Sequence, residues 1–283
     1  MNFLIIGGDD RLLYLAKMLL DDGNAVKCYA LDMAKLPEGA QHTEMLDNAD
    51  CVILPLPAEG KTAGTLNAPF SAKSHSIYEI LSSFEQGSLV CGGKLSPKLR
   101  EAAEKKNLRL RDYMMRPEFT VGNAAVTAEG AVSLLADNLK STLFGSSVLV
   151  IGYGRIGRLL AHKLRGLDAE TYVLSRNSES RALAESMGLH AVSPTADNAV
   201  FSAFDAVINT APAMVIPSME ALKKSCLLLE LASAPGGIDR ERAEQLGLRC
   251  IAAPGLPGRY APISAAGLIH EAIRNILREE KHE

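Results

Sequence analysis

Along the chain, short apolar runs alternate with stretches in which apolar residues recur every three to four positions. "NFLIIGG", "AVKCYAL", "CVILPLP" and "SLVCGG" have the length of buried strands, while "RLLYLAKMLLDDG" and "SIYEILSSF" carry helical spacing. Unbroken apolar runs suit strands covered on both faces, so this alternation predicts βαβ units and a parallel sheet. "LSPKLREAAEKKNL" predicts a helix with Ser96 as N-cap and Pro97 in its first turn, and "RLRDYMM" a further strand. Residues 1–122 read as one α/β domain.

A long helix is predicted over 123–144, where "NAAVTAEGAVSLLADNLKSTL" keeps helical spacing without a proline. After Gly145 the pattern starts afresh with "SSVLVIGYG", "ETYVLSRN", "HAVS", "FDAVINTAP", "CLLLELAS" and "LRCIAAPG", which predicts a second α/β domain over 145–262. "ISAAGLIHEAIRNILREE" follows Pro262 and predicts a terminal helix over 263–283 that joins the first domain. The fold class expected is α/β: two Rossmann-like parallel-sheet domains of the NAD(P)-binding dehydrogenase type, with an interdomain cleft.

Composition narrows the function. The chain has 283 residues, 47% of them hydrophobic and 22% charged, with a formal net charge of -3, which suits a globular protein and gives no basic surface for nucleic acid or acidic lipid. Cys28, Cys51, Cys91, Cys226 and Cys250 are scattered, odd in number and set in apolar runs, so reduced buried thiols are expected rather than a disulfide frame or a zinc site. Met1 leads straight into a strand without a basic segment, and no apolar stretch approaching the roughly 18 residues of a membrane span is evident. A cytoplasmic location, no membrane and no metal are the expectations.

Gly152, Gly154 and Gly157, with Arg155 and Ile156 among them, satisfy G-x-G-x-x-G between an apolar strand and an amphipathic helix. There the first glycine permits the turn, the second lets backbone N–H groups approach a pyrophosphate, and the third allows helix and strand to pack closely. The N-terminal turn after "FLIIGG" fails the same test, because counting from Gly7 places Asp9 and Leu12 where the second and third glycines belong. Either Asp9 or Asp10 caps the helix there, or Arg11 binds a substrate carboxylate. The second strand of the later domain ends in Ser175, Arg176 and Asn177, without the acidic residue that usually holds the ribose of NAD. Arg176 can pair with a 2'-phosphate and Ser175 and Asn177 can donate to it, so NADP is the cofactor expected. Asn209, Thr210, Ala211 and Pro212 end another strand, where they can line the nicotinamide ribose, and the small Ala232 and Ser233 end the next.

"IGGDDRLLYLAKML", "VILPLP", "RPEFTVGNAAVTAEGA", "VLVIGYGRIGRLLA", "VINTAP", "ELASAPGGID" and "GLPGRYAP" occur in this order over essentially the whole chain. Together they resemble the family of dipicolinate synthase A subunits, the NADP-linked component of the enzyme that makes pyridine-2,6-dicarboxylate in spore-forming bacteria. The resemblance implies oxidation of a dihydrodipicolinate with hydride passing to NADP. It further implies a flavoprotein-like B subunit as partner, and a setting in the mother cell during sporulation. "VINTAP" and the glycine turn are shared with shikimate and 2-hydroxyacid dehydrogenases, so another small-acid NADP dehydrogenase is the alternative enzyme, and an NADP-binding regulatory protein the non-catalytic one. A homo-oligomer is expected by analogy with Rossmann-type dehydrogenases.

A substrate with two carboxylates wants cations, and Arg11, Arg116 and Arg259 each stand beside a motif at a predicted turn. On the predicted linking helix, Asn123 and Thr127 share a face, Thr127 and Glu129 can orient substrate, and Glu129 is a candidate general base if burial raises its pKa. The bland reading makes Asn123 the N-cap of that helix and Glu129 a first-turn acid. His75 and His270 are the candidate bases among the histidines.

Overall fold

The computed structural model describes residues 1–212, 219–233 and 235–281. Two compact units emerge, one formed by residues 1–123 together with 261–283 and the other by 124–260. In the first, strands β1 (Asn2–Ile6), β2 (Ala25–Tyr29), β3 (Gln41–His42), β4 (Cys51–Ile53), β5 (Leu89–Gly92) and β6 (Arg109–Asp112) form one parallel sheet in the order β3-β2-β1-β4-β5-β6. Helices α1 (Asp10–Asp21), α2 (Ile77–Ser83) and α3 (Pro97–Lys105) connect them, and α4 (Pro117–Asn138) follows a single 3-10 turn at Tyr113–Met115.

The second unit repeats the design. Strands β7 (Ser147–Ile151), β8 (Glu170–Leu174), β9 (His190–Val192), β10 (Ala206–Asn209), β11 (Leu227–Glu230) and β12 (Arg249–Ala252) lie in the order β12-β11-β10-β7-β8-β9. Counted from each unit's first strand this is the same order as before, the doubly wound arrangement with a crevice where the strand order reverses. Its helices are α5 (Arg155–Gly166), α6 (Ser178–Ser186), α7 (Asn198–Phe201), α8 (Arg240–Gln245) and α9 (Leu256–Tyr260), and α10 (Pro262–Glu280) returns to the first unit.

The unbroken apolar runs are explained by two-sided burial. In β1, Phe3 and Ile5 join a core with Leu12, Leu15 and Ile273, while Leu4 and Ile6 join another with Ile77, Leu81 and Leu99. In β7 the split is the same: Val148 and Val150 pack with Ala131 and Leu160, Leu149 and Ile151 with Phe201 and Phe204. Successive strand residues point to opposite faces, so each must be apolar. Each such side chain contributes about 1.5–3 kcal/mol. The cysteines fit this scheme: Cys28, Cys51, Cys91 and Cys226 are buried, Cys250 half-buried, and burial pushes the Cys28 and Cys226 thiols up to about 12.

The long helix corrects one boundary. It starts at Pro117, six residues before the predicted start, with Pro at the first helical position and Glu118 in the first turn, where the helix dipole favours an acid. Asn123 is therefore not its N-cap, nor Glu129 a first-turn acid. By length and composition α4 also reaches what a membrane span requires, against the expectation that no stretch does. Its apolar residues serve cores instead: Phe119 in the first unit, Ala128, Ala131 and Leu135 in the second. Gly122 makes one such packing possible, because a β-carbon there would collide with Leu268 on α10. Farther along α10, Glu279 takes a two-pronged contact from Arg116 at 2.8 and 2.9 Å.

Overpacking that contact with Gly122→Val is expected to cost about 1–3 kcal/mol. Urea unfolding followed by circular dichroism would show a lower midpoint; an unchanged midpoint would mean that Leu268 yields without cost.

Candidate dinucleotide site

The turn from β7 to α5 has the geometry its glycines predict. Gly152 adopts a positive φ of 91° and its N–H donates to the Leu174 carbonyl at 2.9 Å, tying the turn to β8. A β-carbon on Gly157 would overlap the Gly152 carbonyl oxygen, so helix and strand approach as closely as backbones allow. At Gly154, by contrast, a β-carbon would meet nothing within 4 Å. Gly154 is also the N-cap of α5, and no side chain caps that helix. The first-turn N–H groups of Arg155 and Ile156 are thereby left for an acceptor from outside the helix, and an anionic pyrophosphate is the group a helix start of this kind suits. Tyr153, the residue between the first two glycines, is buried under Arg158, whose Nε donates to the Tyr153 carbonyl at 3.0 Å. Burial raises the phenol above its ordinary pKa, with the Arg158 charge working against the rise.

Beside the turn lies a cavity of about 280 Å³ lined by Ile151, Gly152, Leu174, Ser175, Arg176, Asn177 and Ala211. Among its described lining residues there is no carboxylate. The Arg176 side chain is exposed and, among the described residues, has no hydrogen-bond or ion-pair partner. Asn177 spends its side-chain oxygen on capping α6, accepting from Glu179 N–H at 2.8 Å and Ser180 N–H at 3.4 Å, while its amide NH₂ is left to donate. One residue outside the sequence analysis completes this edge: Arg181 donates to the carbonyls of Ser175 at 2.7 Å and Arg176 at 3.0 Å, which holds the strand end in place. On the opposite side Thr210 donates through Oγ1 to the Ile151 carbonyl at 2.8 Å, and Ala211 and Pro212 follow it.

In the first unit the corresponding turn is filled by the chain itself. Gly8 N–H donates to the Asn67 carbonyl at 2.8 Å, and a β-carbon on Gly7 would meet Leu66 at 2.9 Å and that same carbonyl at 3.0 Å. The acceptors for this turn's N–H groups come from the protein itself, the Asn67 carbonyl for Gly8 and the Asp9 carboxylate for Arg11. Asp9 caps α1 and clamps Arg11, at 2.8 Å to Nε and 2.7 Å to Nη2, while Nη2 also donates to the Leu56 carbonyl.

The remaining predicted residues divide by their partners. Arg116 is engaged by Glu279 and Glu118, and those hydrogen bonds raise its pKa and lower theirs. Arg259 on α9 is exposed, and among the described residues its guanidinium has no partner. Thr127 is buried and Asn123 half-buried on α4, both with partners. Glu129 has a side chain 56% exposed and pairs with Lys163 at 2.8 Å. The burial on which its role as a base depends is absent. His75 lies 3.3 Å from the Tyr29 hydroxyl and 2.9 Å from Ser71, which donates to Asp32; His270 pairs with Asp22 at 2.9 Å. Both histidines sit among structural partners of the first unit.

Comparison with known proteins agrees with this division of labour. Residues 2–114 match the N-terminal domain of the dipicolinate synthase A subunit, and residues 121–222 match the NAD binding domain of D-isomer specific 2-hydroxyacid dehydrogenases. The dipicolinate synthase A subunit of Bacillus subtilis is 28% identical over 302 aligned residues, covering 100% of this chain and 98% of that protein. The solved structure of the Bacillus halodurans A subunit superposes with a TM-score of 0.88 at 27% identity, covering 98% of this chain and 97% of the other. For the Bacillus subtilis A chain the TM-score is 0.86 at 27% identity, covering 100% and 98%.

The two glycines should separate in the test tube. Gly157→Ala must move backbone and is expected to lose about 1–3 kcal/mol, whereas Gly154→Ala points into open space and should cost about 1 kcal/mol or less as an N-cap change. Thermal melting of both variants checks this; equal losses would contradict the geometry described. By its sequence, its fold and the open glycine turn of its second unit, the chain is similar over its whole length to dipicolinate synthase A subunits, its residues 2–114 matching the N-terminal domain of that subunit and 121–222 a NAD binding domain of the dehydrogenase type.

Proposed function

We propose that the chain is an NADP-dependent oxidoreductase that converts dihydrodipicolinate to dipicolinate, acting as the A subunit of a dipicolinate synthase beside a flavoprotein-like B subunit. The observation that carries this reading is the cavity between the glycine turn and the end of β8, bordered by Arg176 and with no carboxylate among its described lining residues. An acidic residue there would accept from a ribose hydroxyl and repel a phosphate; a guanidinium with Ser175 and Asn177 beside it does the reverse. The full-length likeness to two A subunits supports the substrate. The same reading carries a role in sporulation, in the cytoplasm of the mother cell.

When bound, the cofactor supplies hydride acceptance, and the product ring is left aromatic with release of one proton. The chain's own residues bind and orient. Gly152, Gly154 and the N–H groups of Arg155, Ile156 and Gly157 hold the pyrophosphate, and Ser175, Arg176 and Asn177 hold the 2'-phosphate. Thr210, Ala211 and Pro212 border the nicotinamide side. Arg259 binds a substrate carboxylate, because its guanidinium is open whereas those of Arg11 and Arg116 are held by carboxylates. Asn123 and Thr127 orient the substrate by hydrogen bonds, and orientation of this kind is the main contribution a protein makes when the cofactor carries the chemistry.

Purified protein, NADP or NAD, and freshly generated dihydrodipicolinate, followed by absorbance for reduced nicotinamide and dipicolinate with and without the B subunit, test the reaction. Both signals are expected to rise with NADP; NADP binding without either signal, even with the B subunit present, would overturn the reading. Arg176→Ala is expected to weaken NADP by roughly 10–100-fold, the worth of a charge-assisted hydrogen bond, and to leave NAD nearly unchanged in a titration. Arg259→Ala is expected to raise the substrate KM about tenfold or more with NADP affinity retained, which steady-state kinetics would show.

A further inference from the structure

A carboxylate that no feature of the reaction has used lies buried in the second unit. Glu230 ends β11 with 2% of its surface exposed and receives N–H donors on both oxygens. Oε1 accepts from Ala232 N–H at 2.8 Å, Oε2 from Gly237 N–H at 2.7 Å and Ile238 N–H at 2.8 Å. The side-chain amide of Asn209 donates to both, at 2.8 and 3.1 Å. Burying a carboxylate is unfavourable unless its lone pairs are satisfied, and here the satisfying groups are almost all loop backbone.

Asn209, 1% exposed, is the register partner of Glu230 on β10 and passes the constraint on. Its amide also donates to the Ala211 carbonyl at 2.8 Å, and its oxygen accepts from Ala211 N–H at 3.2 Å. Ala211 lines the cavity beside the glycine turn. One buried charge thus fixes the chain leaving β10 and the chain leaving β11, both at the carboxyl edge of the sheet, where open α/β folds bind ligands. An apolar side chain would fill the same volume without gathering any of these N–H groups.

Resting on the reading that the second unit binds a nicotinamide dinucleotide, we propose that Glu230, acting through Asn209, is the positioning residue for the nicotinamide half of the cofactor. The adenosine half rests mainly on the end of β8, which Arg181 ties down through the carbonyls of Ser175 and Arg176, with Ala211 only at its margin. The two halves of the dinucleotide are therefore expected to respond differently to loss of the network.

Full-length Glu230→Gln, which turns an amide NH₂ toward backbone donors, and Asn209→Ala, which removes the bridge but leaves Glu230 its three backbone bonds, provide the test. Calorimetry would give affinities for NADP and NAD and for their adenosine halves, 2',5'-ADP and ADP, with thermal melting in parallel. For the dinucleotide that the unaltered protein prefers, both variants are expected to bind about tenfold or more weakly, with the matching adenosine half within about twofold. Equal losses for dinucleotide and half, no loss in either, or failure of both variants to fold would overturn the inference while leaving the proposed function standing. If the unaltered protein bound neither dinucleotide, both would fall.

Discussion

Where a helix packs back on the strand it leaves with the two backbones in contact, no side chain can stand between them. In the second unit this contact is made where the Cα of Gly157 faces the carbonyl of Gly152 with no room for a β-carbon. The rest of the site depends on that approach. It brings the start of α5 to the carboxyl edge of the sheet and leaves its uncapped N–H groups without an internal acceptor. It also lets Thr210 reach across to Ile151, so that the chain leaving β10 closes the other side.

The first unit shows the same strand order with a different turn after its first strand. Its six strands follow the same winding, yet the turn after β1 carries Asp9 where a second glycine would stand, and the Asn67 carbonyl accepts from the N–H of Gly8 within that turn. Asp9 then serves α1 as cap and Arg11 as counter-ion. Strand order determines where a crevice forms, whereas the residues at the turn determine whether a ligand or the protein occupies it.

Arginine fates follow from partner geometry. The planar guanidinium matches a carboxylate with two parallel bonds, so an arginine that meets one is held by it. Arg11 meets Asp9 and Arg116 meets Glu279; Arg176 and Arg259 meet none among the described residues. Those two remain for anionic groups that the protein does not itself supply.

Much of this architecture was legible in the linear pattern. Unbroken runs such as "NFLII" and "SVLVI" announce strands covered on both faces, and the glycine spacing at 152–157 announces a turn that brings helix and strand together, because both signals are local in sequence. The start of α4 was misplaced: Asn123 reads as an N-cap in the sequence, whereas the helix begins at Pro117 and carries Gly122 inside it, packed against Leu268 far along the chain. Arg116 and Arg259 look alike as letters; of the two counter-ions that separate them, Glu118 stands two positions on, but Glu279, which takes the two-pronged contact, lies 163 positions from Arg116. Glu230 was invisible for a related reason, since its donors are mostly backbone groups that carry no letter of their own. By itself, then, the sequence determined periodicity, turn chemistry and the absence of an acid after β8. Tertiary structure alone decided which charges are satisfied within the protein, because pairing depends on distances in space that spacing along the chain does not encode.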